Sequence, residues 1–272
     1  MNNDPIAQPR LAATVMLLRD GDEGMEVFMI VRHHGNDFAP GALVFPGGRL
    51  DAGDYDIAVN AAVFPPGFAA DAAAAALRVA ALRETFEECG VLLARARGEA
   101  GLVDAAHLRE IETVHRTAMT RGERSFGAIL AAEQLVLAPE LLVPFAHWIT
   151  PERVPKRFDT HFFLAAAPED QVALHDGDEA VDSVWVRPER ALGDASKGAR
   201  KLVFPTQMNL QKLARHQASE TALDVARNSR VVTVLPKHEQ TRDGIRLLRL
   251  PREADYGGEL FEVSNPQSMP SR

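Results

Sequence analysis

Three glutamates, Glu84, Glu87 and Glu88, follow Arg83 at a spacing that brings three carboxylates together on a helix. At about 100° per residue, positions i, i+3 and i+4 share one narrow sector, and like charges there cost roughly 0.2–0.5 kcal/mol per pair. The helix is predicted over residues 71–89. The side opposite the glutamates is apolar and comprises Val79, Leu82, Phe86, Cys89 and, beyond the helix end, Leu93. Clustered oxygen ligands suit Mg²⁺ or Mn²⁺ better than Zn²⁺, which prefers His or Cys. The spacing therefore predicts a divalent-cation site.

The alternative interpretation is a solvated acidic helix face. The neighbouring residues favour the cation site. Gly90 stands where a helix ends in a left-handed residue, and Gly47-Gly48 follows a short apolar run, residues 42–45, that is typical of a strand. Two glycines at that point allow a tight turn whose backbone approaches the acidic helix face closely.

This pattern resembles the Nudix box, the signature of Nudix hydrolases, which reads G-x5-E-x7-R-E-U-x-E-E-x-G-U with U a bulky aliphatic residue. The second half of the box is present in residues 83–91, except that Thr85 replaces the aliphatic residue. Asp54 stands where the family has Glu. Between Asp54 and Arg83 lie 28 residues where the family has 7, a surplus of 21, so Asp54 receives no catalytic assignment.

The resemblance implies a role for each box residue. Glu84, Glu87 and Glu88 become the Mg²⁺ (or Mn²⁺) ligands, one of them also serving as general base. The carbonyl of Gly47 is a further candidate ligand. Arg83, one helical turn before Glu87, is expected to pair with a glutamate and fix its rotamer, the alternative being a solvated arginine.

A further carboxylate often comes from a distant loop in this family. The acidic residues 176–179 are the candidate segment and Glu179 the preferred ligand, with an ordinary acidic turn as the alternative. Arg32, Phe38, Gly48 and Trp148 are the predicted substrate-binding residues. His147, His161 and His175 share no metal-binding spacing, so we interpret each as structural.

Residues 38–52 and the long insertion resemble the coenzyme A diphosphatase branch of the Nudix family, as do residues 146–151 and 157–163. The motif G-x3-F-P-G-G at residues 41–48 matches the end of a coenzyme A hydrolase motif, although Asp37 replaces an expected arginine, so that Arg32 or His33 would have to contact the 3′-phosphate. Coenzyme A or acyl-CoA is thus the implied substrate. The alternatives are ADP-ribose, a dinucleotide or an oxidised nucleotide, or a non-catalytic Nudix-fold ligand sensor, which commonly loses the box carboxylates that this chain keeps.

Composition limits the class of protein. A net charge of −8 argues against a nucleic-acid surface, and the absence of an 18-residue apolar run argues against a membrane span. One cysteine excludes an intrachain disulfide and fits a reducing compartment. We therefore expect a cytoplasmic protein without a secretory signal, with Cys89 packed in the core.

Strand and helix patterns alternate irregularly along the chain. The patterns predict a hairpin of residues 11–18 and 27–31 and strands at 141–149, 158–165 and 181–186, of which 158–165 is central and buried on both faces. They also predict a terminal hairpin of 231–235 with 245–250. These elements suit an α/β fold, the Nudix α/β/α sandwich around a mixed β-sheet that the resemblance implies. We expect one domain over residues 1–250, with helical additions at 55–75, 104–134 and 188–228, a tail at 251–272, and a possible homodimer.

Overall fold

The structure is a computed structural model that describes residues 7–33, 40–152, 154, 156–175, 180–239 and 246–263. Two predicted site residues, Phe38 and Glu179, lie outside the described residues. The strands, in chain order, are β1 Arg10–Gly21, β2 Gly24–Arg32, β3 Leu43–Val44, β4 Gly47–Arg49, β5 Ala94–Ala96, β6 Leu135–Leu137, β7 Val143–Ile149, β8 Phe158–Ala166, β9 Ala180–Val186, β10 Thr233–Val234, β11 Lys237–Glu239, β12 Arg246–Arg249 and β13 Leu260–Val263. The helices are α1 Ala52–Ala58, α2 Ala72–Cys89, α3 Ala105–Thr120, α4 Phe126–Ala132, α5 Pro188–Ser196, α6 Phe204–Leu213 and α7 Ser219–Arg227.

A mixed β-sheet forms the centre of the molecule, in the order β10-β7-β8-β1-β2-β3, with β4 also on β1 and β9 also on β2. The pairs β1–β8 and β7–β10 are parallel, and the remaining pairs of this sheet are antiparallel. The predicted hairpin is confirmed, since β1 and β2 pair from Leu18↔Val27 to Gly21↔Gly24. The apolar alternation of β1 and β8 gives each face of the sheet its own core.

Helices cover both faces of the sheet. One face carries α1, α2, α3 and α4, and we call its apolar layer the first core; it includes Val15, Leu17, Val79, Leu82, Phe86, Ile111, Ile129 and Phe163. The other face carries α5, α6 and α7, and its second core includes Met16, Leu18, Trp148, Phe162, Leu210, Leu213 and Leu223. The α/β/α sandwich around a mixed sheet is therefore confirmed.

Helix α2 begins and ends where its sequence predicts. The Asp71 side chain accepts a hydrogen bond from the Ala74 amide, which satisfies one of the free donors at the helix start. Gly90 ends the helix at φ 67°, and its amide donates to the Phe86 carbonyl over 2.9 Å. Cys89 is buried in the first core, as expected.

The C-terminal part of the chain differs from its prediction. Residues 231–235 do not pair with residues 245–250, because β10 joins β7 of the main sheet and β12 lies between β11 and β13. A tail from residue 251 is also wrong up to Val263, since β13 completes this three-stranded sheet and Tyr256 is buried in the second core. The single buried aromatic residue among polar neighbours gave too weak a pattern to predict these contacts.

Candidate functional site

Arg83 lies at the centre of a network of charged side chains beside α2. Its guanidinium donates from Nε and Nη2 to the two carboxylate oxygens of Asp54, over 2.8 and 2.9 Å. Nη1 donates to Glu84 Oε1 at 2.8 Å and to Glu87 Oε2 at 2.7 Å, and Nη2 also donates to the Arg49 carbonyl at 3.1 Å. The predicted pairing of Arg83 with a glutamate is confirmed, and the alternative of a solvated arginine is wrong.

The charges around this arginine shift two pKa values. Burial by itself would lower the pKa of Arg83, but the hydrogen bonds of Asp54 and the charges of Glu84 and Glu87 outweigh it and raise that pKa. Burial raises the pKa of the Glu87 carboxyl above its ordinary value, and the nearby Arg83 only partly opposes this rise. Arg83 is thus a permanent cation, and it does not fully offset the burial of Glu87.

Asp54 is fully buried and takes part in both the cap of α1 and the ion pair with Arg83. At the start of α1 its carboxylate accepts from the Asp51 amide over 3.0 Å, while Asp51 accepts from the Asp54 amide over 3.1 Å. This reciprocal cap fixes α1, and the bidentate pair with Arg83 joins α1 to α2. No role for Asp54 was predicted, because of the long insertion that follows it, although its distance of six residues from Gly48 matched the first half of the box.

The Gly47-Gly48 strand lies directly against the acidic side of α2. The Gly47 amide donates to Glu88 Oε2 over 2.7 Å. A Cβ on Gly48 would lie 2.2 Å from Glu84 Oε1, and one on Gly47, whose φ is 150°, would lie 2.4 Å from the Ala13 carbonyl oxygen. Gly47 is therefore restricted to glycine by the neighbouring backbone, whereas a side chain at position 48 would require the Glu84 carboxylate to move.

The residues brought together fit a hard divalent cation. Glu84, Glu87 and Glu88 supply oxygen donors from a single helix. Four carboxylates, those of Asp51, Asp54, Glu84 and Glu87, surround the Arg83 guanidinium, and the fifth, Glu88, lies against the Gly47 amide. Such an oxygen-only donor set suits Mg²⁺ or Mn²⁺. The Gly47 backbone also lies beside these carboxylates, because its amide donates to Glu88. That these residues and the Gly47 carbonyl bind metal stays a prediction.

Two predicted substrate-binding residues, Trp148 and Arg32, lie on different strands of the main sheet. Trp148 is 4% exposed in the second core, where its Nε1 donates to the Tyr256 hydroxyl over 2.9 Å and its ring packs on Phe204. The prediction for Trp148 is wrong because strand alternation turns its side chain to the face opposite α2. Arg32 ends β2 and bonds through its backbone to Gly41 and Ala42; its buried Nε has no hydrogen-bond partner within the described residues.

Two of the histidines that share no sequence spacing meet across adjacent strands. His147 on β7 pairs in register with His161 on β8, and their rings stack with centroids 4.0 Å apart. Asp159 hydrogen-bonds to His147 Nε2 and lies 3.7 Å from His161 Nε2. Burial, reinforced by the charge of His147, lowers the pKa of His161 to about 4. His175 is separate, with Nδ1 2.9 Å from the Ser183 hydroxyl.

Comparisons with known proteins agree with this geometry. The family model described as the NUDT19 Nudix domain matches residues 69–213, more than half of the chain. The chain is similar to nudix hydrolase 7 of Caenorhabditis elegans, with 27% identity over 70% of this chain and 56% of that protein. It is also similar to the acyl-coenzyme A diphosphatase NUDT19 of Xenopus laevis, with 26% identity over 62% and 54%. The chain therefore spans about half the length of the curated relatives it matches.

A solved structure gives the same result. The crystal structure of a NUDIX hydrolase from Alicyclobacillus acidocaldarius aligns with a TM-score of 0.70 and 31% identity, covering 81% of this chain and 97% of that one. Within the described residues, none of the helices is both long enough and apolar enough to cross a membrane. From the acidic network on α2, the family model and the shared fold, we conclude that this chain belongs to the Nudix hydrolase family.

Proposed function

We propose that the chain hydrolyses a diphosphate linkage in a nucleoside diphosphate derivative, with Mg²⁺ as cofactor and coenzyme A or acyl-CoA as the favoured substrate. The products would be 3′,5′-ADP and 4′-phosphopantetheine or its acyl form. The observation that carries the proposal is the set of hydrogen bonds joining Glu84, Glu87 and Glu88 to Arg83 and Gly47. The name of the Xenopus relative supports the choice of substrate.

The glutamates would hold the cation through their carboxylate oxygens. A bound divalent ion neutralises phosphate charge and lowers the pKa of a coordinated water. Arg83 positions Glu84 and Glu87 through one nitrogen, Nη1, and the Gly47 amide positions Glu88. These contacts would hold the three carboxylates in place before the substrate binds, which lowers the free energy needed to reorganise the site.

Gly48 leaves room for the Glu84 carboxylate beside β4. Its lack of a side chain keeps the Glu84 carboxylate against β4, because any Cβ would overlap that carboxylate. Gly48 and Arg32 stay predicted substrate-binding residues. Phe38, also predicted to bind substrate, and Glu179, predicted to bind metal, lie outside the described residues. Trp148 is withdrawn from the set because it is buried in the second core.

A panel of substrates tests the choice of linkage. Purified protein with Mg²⁺ would be incubated with coenzyme A, an acyl-CoA, ADP-ribose, a dinucleoside polyphosphate and an oxidised nucleoside triphosphate, and the products would be identified by mass. We expect 3′,5′-ADP from the two coenzyme A substrates. Turnover of ADP-ribose with coenzyme A left intact would replace the favoured substrate by the first alternative.

The variant Glu88→Gln tests the role of the carboxylates. It keeps the side-chain volume but removes the charge that accepts from Gly47, so we expect kcat to fall about 100-fold or more. Glu110→Gln on the exposed side of α3 is the matched control and should act as wild type. Full activity of Glu88→Gln would exclude Glu88 from the mechanism. No turnover of any panel substrate by the wild-type chain would favour a ligand sensor.

Partners and location follow from the same proposal. A small nucleotide-type substrate suits an acidic chain better than a nucleic acid does, since phosphate backbones bind basic surfaces. A homodimer through the added helices and a cytoplasmic location stay predictions from the sequence.

A further inference from the structure

A second group of metal-ligating side chains lies on the same face of the sheet as the acidic helix. His161 and Asp159 are two residues apart on β8, so both side chains point to the side of Phe163, which belongs to the first core. His147 lies opposite His161 in the β7–β8 register and stacks on it. The register therefore forms a cluster of two imidazoles and one carboxylate, which we call the His–Asp cluster.

The ligand atoms of the His–Asp cluster converge. One atom from each residue lies within 4.8 Å of the other two. Asp159 Oδ1 lies beside the Nε2 atoms of both rings, hydrogen-bonded to His147 Nε2 and 3.7 Å from His161 Nε2. The side chains are 16%, 22% and 31% exposed for His147, Asp159 and His161, so the cluster is accessible from one side.

We propose that His147, Asp159 and His161 form a second metal site, which binds a borderline divalent ion such as Zn²⁺. Two imidazole nitrogens and one carboxylate oxygen are a donor set that suits Zn²⁺ and other late transition ions, whereas Mg²⁺ prefers oxygen alone. Three protein ligands leave a coordination position open, as in zinc sites that bind a further molecule.

The hydrogen bonds around the cluster favour a metal over a purely structural role. The distance of 3.7 Å from His161 Nε2 to Asp159 exceeds a hydrogen bond, and among the residues that the structure describes no hydrogen bond is made by the His161 ring. His147 has its Nδ1 2.8 Å from the Thr233 hydroxyl on β10, which orients the ring in the way that outer contacts orient zinc-bound histidines. Within the described residues, the ring nitrogens of His161 are therefore not taken up by another protein group.

The surrounding charge indicates what the open position would take. Asp159 is the carboxylate of the cluster, and Arg78 on α2 places its guanidinium 5.6 Å from the ring centre of Phe163, close enough to influence His161. A divalent ion with one carboxylate and a nearby arginine carries a net positive charge. The open position would therefore take an anionic oxygen, such as one from a phosphate.

The two sites are neighbours on one sheet face but hold separate ions. Ala13 on β1 is paired with Gly48 on one side and with His161 on the other. Two strand spacings separate Gly48 from His161, which is about 10 Å. This distance is too long for one shared ion and short enough for both ions to contact one extended substrate.

Zinc binding to the metal-free chain tests the proposal without any substrate, so its outcome does not depend on the diphosphatase activity. Zn²⁺ would be titrated in competition with a chromophoric chelator, with excess Mg²⁺ present to fill the carboxylate site. We expect one Zn²⁺ per chain, bound at least about 10-fold more weakly by His161→Gln and His147→Gln. Co²⁺ should give visible absorption bands in wild type that both variants lack.

Three variants make the assignment specific. His238→Gln, on the exposed strand β11, is the matched control and should bind Zn²⁺ as wild type. Glu88→Gln should leave Zn²⁺ affinity unchanged. Thr233→Val removes only the outer contact to His147 and should weaken binding by a smaller factor, which gives a test if a histidine variant fails to fold.

Two results would overturn the proposal. One is equal Zn²⁺ affinity in wild type, His161→Gln and His147→Gln, including no binding in all three. The other is loss of the zinc site in Glu88→Gln with both histidine variants unaffected, which would assign the ion to the acidic helix.

Discussion

Asp54 and Arg83 form a buried ion pair in which both carboxylate oxygens accept from the guanidinium. The remaining nitrogen of that guanidinium, Nη1, is shared by Glu84 and Glu87. Asp54 is therefore linked to Glu84 and Glu87 by hydrogen bonds through Arg83, in addition to the repulsion between its charge and that of Glu87. It is a positioning residue, and its removal should disturb the glutamates without touching them.

The variant Asp54→Asn tests this indirect role. Because it breaks a buried pair, leaving the Arg83 charge poorly compensated, we expect a loss of about 3–5 kcal/mol in the free energy of unfolding. We also expect Mg²⁺ affinity to fall about 10- to 100-fold. Urea denaturation and Mg²⁺ titration of the turnover rate measure the two effects. Asp56→Asn, exposed on the same helix, is the control, and an Asp54→Asn chain as stable as this control would contradict the assignment.

Residue spacing predicted part of this network and missed the rest for a physical reason. Glu84, Glu87 and Glu88 are one turn apart, so helical periodicity alone places them together. Asp54 lies 29 residues before Arg83, and no local rule spans that distance. His147 and His161 meet only through the register of two strands, which the sequence does not specify residue by residue.

At the scale of elements, the site depends on the close contact between β4 and α2. The Gly47 amide bonds to Glu88, and Gly48 leaves space for the carboxylate of Glu84. Strand β4 pairs with β1, which packs under α2, so the separation of strand and helix is set by the core. A side chain at position 48 must therefore displace the Glu84 carboxylate, since no backbone atom is among its nearest contacts.

Gly48→Ala is therefore expected to impair the site more than the fold. Its Cβ would lie 2.2 Å from Glu84 Oε1 and 2.5 Å from Cδ, so the carboxylate has to move. We expect kcat/KM to fall at least about 10-fold, with a melting temperature close to that of wild type. Gly101→Ala is the control, because no atom lies within 4 Å of its added Cβ. Equal activity of the two variants would show that Glu84 tolerates the displacement.

Element boundaries were predictable where a strong local pattern existed. Helix α2 has an Asp cap, an apolar side and a terminal glycine, and each end agrees with the structure. The three short strands near the C-terminus have no such pattern, and β10 finds its partner in β7, about 85 residues earlier in the chain. The prediction for Trp148 failed for a similar reason, since the face of the sheet that its side chain occupies depends on the strand register.

For the whole molecule, the second core connects the C-terminal segment to the main sheet. The Tyr256 hydroxyl donates to Asn209 Oδ1 over 2.7 Å and accepts from Trp148 Nε1 over 2.9 Å. These bonds join α6, β7 and the segment before β13. Because all three side chains are buried, the network couples the stability of the C-terminal segment to that of the sandwich.

The pH dependence of stability tests this connection. Burial raises the pKa of the Tyr256 phenol above its ordinary value of 10.0. The phenol then ionises more easily in the unfolded chain, so its contribution is fully present below about pH 10 and is lost as the pH rises further. At neutral pH, Tyr256→Phe should lower the free energy of unfolding by about 1–3 kcal/mol, because it leaves buried polar partners unpaired.

The difference in the free energy of unfolding between wild type and Tyr256→Phe should then become smaller at about pH 11. Urea unfolding of both proteins at neutral and alkaline pH measures it, and Tyr55→Phe, at an exposed tyrosine on α1, controls for general alkaline effects. A difference that stays constant across this range would show that Tyr256 ionises normally.

The ion pair between α1 and α2 also has a consequence for how the chain can vary in length. The first half of the box ends at Asp54 and the second begins at Arg83, and the two are fastened by side chains instead of by a short connection. The segment between α1 and α2 is therefore not needed to set the distance between the two halves, although Val63 packs part of it into the first core. The surroundings of Gly67 are open, so this point of the spacer is a suitable place to insert a peptide tag or a reporter while both halves of the box stay anchored.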